Sequence, residues 1–273
     1  MASLPPPPPP PPQGPRVAPI PGSPPPPPPT GPRVGPPGTP VPSETDGSRI
    51  ARVDYDHEQS RWGVGDALLS MLLFFVVSAA GGLLAFGFSE GDGLDGAWLP
   101  VAIGVPPLIQ LGHLTWLARA RGRGLGPDFR LLFQARDLAA GIGTWLIGLI
   151  LAGIVASILL ALTDDSPSAA AADLAQDSGD EGGLTFWIVL FAVLGATLIP
   201  LVEELVYRGL WWSALEKRGM HPVAVYVTTS AIFAVVHLEV LRTPVLLVLG
   251  LAIGLGRLVT GRIAAPVIAH VLI

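Results

Sequence analysis

LTFWIVLFAVLGATLIPLVEELVYRGLWW, residues 184–212, decides how this chain folds. The run carries no charge up to Val202 and then admits Glu203, Glu204 and Arg208 without losing its apolar character. A helix that crosses a bilayer needs about 20 mostly apolar residues. An ionisable group inside such a span costs about 2.5 to 3.5 kcal/mol even on lenient insertion scales. Three of them in one stretch therefore need partners, within that helix or elsewhere in the chain.

The whole chain has the same bias. Its 273 residues are 50% hydrophobic and only 14% charged, against about 25% charged in an ordinary soluble domain, and its mean hydropathy is +0.55. Further apolar segments run over 64–88, 98–118, 138–162, 222–241 and 243–255, and another begins near Ile263. The expected fold is all-α, a polytopic transmembrane helix bundle of about seven helices over residues 63–273. The last segment stops at Ile273, about 11 residues in and too short to cross a bilayer, so the chain is expected to be truncated there. The absence of cysteine excludes disulfides and thiolate zinc sites. A net charge of -5 with no clustered basic tract gives no footing for nucleic acid.

Residues 1–62 read differently. Of the 31 prolines, 22 fall in residues 1–48, a composition that favours extended polyproline II and cannot collapse on a core. The tail is expected to be disordered, a solvated spacer first and a ligand for SH3-like or WW-like modules as the alternative.

Lysine and arginine alternate between connections. Arg49, Arg52 and Arg61 precede the first span; Arg119, Arg121, Arg123, Arg130 and Arg136 follow the second; Lys217 and Arg218 close the fourth; Arg257 and Arg262 follow the sixth. The intervening connections carry Glu90, Asp92 and Asp95, then Asp164, Asp165, Asp173, Asp177, Asp180 and Glu181, with no basic residue. Only Arg242 breaks the pattern. Positive residues mark the cytoplasmic side, so a multi-pass protein of the cell membrane with a cytoplasmic N-terminus is expected.

Helical spacing places Glu204 and Arg208 on one face, acid before base, able to pair. Glu203 is turned about 100° away and has no partner in its own helix. The next helix offers one. Glu203 lies 16 residues before Gly219 and His237 lies 18 after it, so across an antiparallel turn both stand at about 24 to 27 Å. Phe233, four residues ahead of His237, shares its face and is expected to wall the substrate pocket. Pro200 can kink the fourth helix and free carbonyls at the same level. A third polar group, His270, stands in the apolar run AAPVIAHVLI. Gly250 and Gly254 form a small-xxx-small pair that reads as ordinary close helix packing.

EELVYR (203–208), FAVVH (233–237) and HVLI (270–273) resemble, in order and on separate apolar helices, the EExxxR, FxxxH and HxxxN motifs of the CPBP family, the CAAX and bacteriocin-processing (Abi) intramembrane proteases. The asparagine of the last motif would follow Ile273. The resemblance implies hydrolysis of peptide bonds of a membrane-associated protein or peptide. Glu203 is then the candidate base, His237 helps to orient and deprotonate a water, Glu204 and Arg208 are a supporting pair, and His270 takes the oxyanion-stabilising position. No cofactor is expected. The metal alternative would use Glu203, His237 and His270, since two histidines and a glutamate also form catalytic zinc sets. No HExxH occurs, and the sequence identifies no outer-shell partner for a zinc ligand.

Gly63-Val-Gly-Asp66 matches the GxGD signature of aspartyl intramembrane proteases, with Tyr55-Asp56 supplying a YD pair, but both precede or open the first helix. Asp66 reads as a favourable first-turn acid. Two other functions fit the same residues. One is a proton-coupled or ion transporter using the carboxylates and histidines as a relay, although no matching halves are evident. The other is a catalytically inactive membrane scaffold.

Overall fold

The structure, a computed structural model, describes residues 62–88, 98–163 and 186–273. The proline-rich tail, the acidic connections and Tyr55-Asp56 lie outside the described residues. Everything described belongs to one unit, Ser48–Ile273.

The helices are α1 (Val64–Phe88), α2 (Trp98–Arg121), the single turn α3 (Leu125–Asp128), α4 (Ala135–Thr163), α5 (Phe186–Glu216), α6 (Pro222–Val235), α7 (Thr243–Thr260) and α8 (Ala264–Val271). Among the described residues, α1, α2, α4, α5 and α7 are long and apolar enough to cross a membrane. Strands are absent from the same residues. The outer faces of α1 and α4 leave Leu68, Leu72, Ile150 and Ile154 exposed, the surface a helix offers to lipid. This is the helix bundle of a multi-pass membrane protein.

One expected span is shorter than its apolar run. The segment 222–241 is helical only to Val235, about 21 Å of rise. Leu238 adopts a positive φ of 57°, Glu239 pairs with Arg242 at 2.5 Å, and Pro244 sits in the first turn of α7. A left-handed residue and a local ion pair reverse the chain before the apolar run ends. The unmatched Arg242 of the sequence pattern thus has its partner three residues away.

The basic connections gather at one end of the bundle. Asp66 at the start of α1 pairs with Arg121 at the end of α2, and it also accepts the Gly63 amide at 2.9 Å. The GxGD match is therefore a helix start. At the same end Lys217 Nζ donates to the Trp62 carbonyl at 2.7 Å. Arg262, in the α7–α8 turn, grips Asp137 of α4 through two nitrogens, at 2.9 Å from Nε and 2.6 Å from Nη2.

Small residues set how closely the helices approach. A Cβ at Gly141 of α4 would stand 2.7 Å from Ile268 and 2.9 Å from the Ala265 carbonyl of α8. A Cβ at Gly250 of α7 would stand 3.0 Å from the Phe233 ring of α6, and one at Gly254 would stand 3.2 Å from Ser230 and Tyr226. The Gly250–Gly254 pair is thus close helix packing, as its pattern predicts. Gly141, with Gly256 of α7, whose Cβ would stand 3.2 Å from the Pro266 backbone nitrogen, lets α8 approach α4 and α7, while Gly250 and Gly254 bring α6 against α7.

Candidate active site

Helix α5 is continuous over Phe186–Glu216 but widens into π-type turns at Leu194–Leu198 and Leu205–Trp211. The first lies just ahead of Pro200, whose missing N–H removes one i to i−4 bond. Between the two turns sit Glu203 and Glu204. Such wide turns within α-helices are frequent at functional sites.

Glu204 and Arg208 are fully buried and joined at 3.0 Å. Arg208 also donates from Nη2 to the Gly250 carbonyl at 2.7 Å, an acceptor shared with Ser230 Oγ at 2.9 Å. Its guanidinium lies 5.0 Å from the centre of the Phe233 ring. The pair expected from the i, i+4 spacing forms, and α7 and α6 hold the arginine end in place.

Glu203 points elsewhere, as its rotation requires. Its carboxylate stands 3.9 Å from His237 Nε2 and 3.6 Å from His270 Nε2. His270 reaches both glutamates, because its Nδ1 bonds Glu204 Oε1 at 2.8 Å. His237 Nδ1 bonds the Phe233 carbonyl at 2.7 Å. A carbonyl only accepts, so that nitrogen carries a proton, and in the neutral ring Nε2 then faces Glu203 with its lone pair. The acid of α5, the imidazole in the turn just past α6 and the imidazole of α8 thus meet at one point, with Glu203 and His237 each keeping about a quarter of the side chain exposed.

Phe233 takes a different place from the one expected. It is buried to 2% and is not part of the cavity wall. Its ring packs edge-on against Tyr207, His237 and His270, at 5.3, 4.8 and 5.7 Å between centroids. The close approach of Gly250 presses it beneath the imidazoles, so it supports them from below.

A cavity of about 370 Å³ opens in front of Glu203 and His237. Its walls come largely from α1 and α2, through Met71, Phe74, Phe75, Ala102, Ile103 and Gln110. None of these was legible as a site residue, since each is an ordinary member of an apolar span until the helices pack.

The metal alternative can be weighed on the donor set. Both histidines have the outer-shell partner that the sequence left unidentified, a carbonyl for His237 and a carboxylate for His270. Yet among the described residues no group of three His, Asp or Glu side chains is arranged to hold a metal ion. The set does not fit as it stands, and no step below runs through a metal.

No curated protein and no solved structure matches the chain. Residues 185–273, the segment that carries EELVYR, FAVVH, HVLI and every ionisable group of this cluster, match the family model described as Rce1-like, type II CAAX prenyl endopeptidase Rce1-like, in agreement with the CPBP resemblance of these stretches.

Proposed function

We propose that the protein is an integral membrane endopeptidase of the CAAX type, hydrolysing a peptide bond of a membrane-associated, prenylated substrate through a water activated by Glu203 and His237. The observation that carries this reading is the Glu203 carboxylate standing between two imidazole Nε2 atoms at the wall of an apolar cavity. Water bridging Glu203 and His237 Nε2 would meet two acceptors, which aligns a lone pair on its oxygen for attack. The oxygen attacks the scissile carbonyl carbon while Glu203 takes the proton. His270, as an imidazolium held by Glu204 at Nδ1, donates from Nε2 to the oxyanion, a role worth about 2.7 to 4 kcal/mol for a well-placed donor. Collapse breaks the C–N bond, and the proton passes by way of His237 to the leaving amine.

The test is cleavage of a farnesylated reporter peptide by the full chain in proteoliposomes. Glu203→Gln is expected to lower kcat by about 10² to 10⁴-fold, the usual contribution of a general base, with expression and thermal stability preserved. Undiminished turnover would remove Glu203 as the base. Persistence of activity under strong chelators supports the metal-free route; loss that zinc restores would replace it with the metal alternative. Proton or solute flux without new peptide termini would favour a transporter.

A further inference from the structure

We infer that helix α2 is the substrate-docking wall of this site. In this arrangement the cavity takes an extended apolar peptide segment whose backbone N–H groups are accepted by Gln110 Oε1 and by the carbonyls of Ala102 and Ile103. The inference rests on the peptidase reading and adds to it the means by which the substrate backbone is held.

Three observations lead there. Gln110 is 1% exposed and lines the cavity, and its Oε1 is the cavity's one buried side-chain atom without a hydrogen-bond partner among the described residues. Its amide is oriented by a chain of bonds: Nε2 donates to Ser70 Oγ at 2.6 Å, and Ser70 Oγ lies 3.3 Å from His113 Nδ1. In this amide orientation Ser70 accepts from Gln110, which leaves the serine proton for His113 in its Nδ1-acceptor tautomer and leaves the Gln110 oxygen over. Buried acceptors without donors are rare in native proteins and call for a missing partner.

The second observation is Pro106-Pro107 inside α2. Proline has no N–H, so the carbonyls four residues back, at Ala102 and Ile103, lose their helical donors. Both of those residues and both prolines line the cavity. In a bilayer, such carbonyls are tolerated where protein or a cavity satisfies them.

The third is chemical sorting. The α2 wall brings the Gln110 oxygen and the two residues whose carbonyls lack helical donors, while the facing wall from α1 is apolar at Met71, Phe74 and Phe75, with Ser78 as its one hydroxyl. A ligand that suits both must bring N–H donors along an apolar chain, which is what an extended peptide with aliphatic side chains does. The acceptors span seven to eight residues of α2, about 10 to 12 Å of rise, the reach of about three to four extended residues.

The test uses the full chain carrying Glu203→Gln in lipid nanodiscs, so that binding is read without turnover. The probes are a farnesylated reporter peptide and a series of depsipeptides in which one backbone N–H at a time is replaced by oxygen. Replacement at one or two positions is expected to weaken binding about 5 to 10-fold, the scale of one lost hydrogen bond. In the Gln110→Met background one of those penalties should vanish. Pro107→Ala, which returns a helical donor to the Ile103 carbonyl, should remove a different one. If every depsipeptide binds like the parent, if Gln110→Met weakens all probes equally, or if the parent does not bind, the inference is overturned. Should Gln110→Met fail to fold, the depsipeptide series on the Gln110 chain and on Pro107→Ala decides it. Failure of the peptidase reading looks different: the Glu203 chain leaves the parent peptide intact while the Glu203→Gln chain still distinguishes amide from ester.

Discussion

Glu204 accepts from Arg208 and from His270 through the same oxygen, Oε1, while its Oε2 has no partner among the described residues. A carboxylate so placed fixes an imidazole on one side and is itself fixed by a guanidinium on the other. Arg208→Met should therefore be severe, since it leaves a buried charge beside His270 uncompensated; breaking such a pair costs about 3 to 5 kcal/mol. Thermal unfolding in detergent checks this, and Arg208→Lys should rescue little, because one ammonium cannot match the planar fork that serves Glu204 and the Gly250 carbonyl together. The Glu204–Arg208 pair was legible from spacing alone, because i and i+4 share a helix face whatever the surroundings. The His270 bridge was not, because it joins residues 66 positions apart. Its only signal was a polar group where lipid should have excluded one.

At the scale of the element, α8 is the piece that must be placed well, since it delivers His270. It is held by Gly141, which lets α4 approach, and by the Arg262–Asp137 clasp at its entry. Asp137 is fully buried, and its Oδ2 also accepts the Gln134 amide at 2.7 Å. Asp137→Ala is expected to lower stability by about 3 kcal/mol or more and to depress turnover, because His270 loses its registry with Glu203. Differential scanning fluorimetry with a parallel cleavage assay reads both, and adding Arg262→Met should recover part of the stability without the activity. Apolar runs located α1, α2 and α4 to within about three residues of their observed ends and stopped five residues short on α7. The same reading overran α6, whose end is set by Leu238 and by the Glu239–Arg242 pair, local polar geometry that hydropathy averages away.

At the scale of the whole molecule, charge and packing agree on a sided protein. Trp62, buried to 1%, donates to Ser213 Oγ at 2.9 Å and stacks on Phe129 at 5.5 Å, at the end where Arg121, Lys217 and Arg262 collect. The positive-inside rule predicts that this end faces the cytoplasm, an expectation that labelling tests. Because the chain has no cysteine, single substitutions give a clean reading. In inside-out vesicles, Arg218→Cys should react with an impermeant maleimide and Leu162→Cys should not; the reverse result would invert the topology.

By itself the sequence determined the helical class, most of the apolar spans, the alternation of charged connections and the presence of Glu203, Glu204, Arg208, His237 and His270 as ionisable groups within apolar runs. These are legible because hydropathy and helical periodicity act over a few neighbouring residues and do not depend on what packs outside them. Only the tertiary structure decided that His270 joins both glutamates, that Phe233 lies under the imidazoles, and that α1 and α2 wall the cavity with Gln110 facing it. Those relations are distances between helices. They are set by where glycines permit close approach and where Asp137 and Arg262 clasp, long-range choices that no single segment encodes.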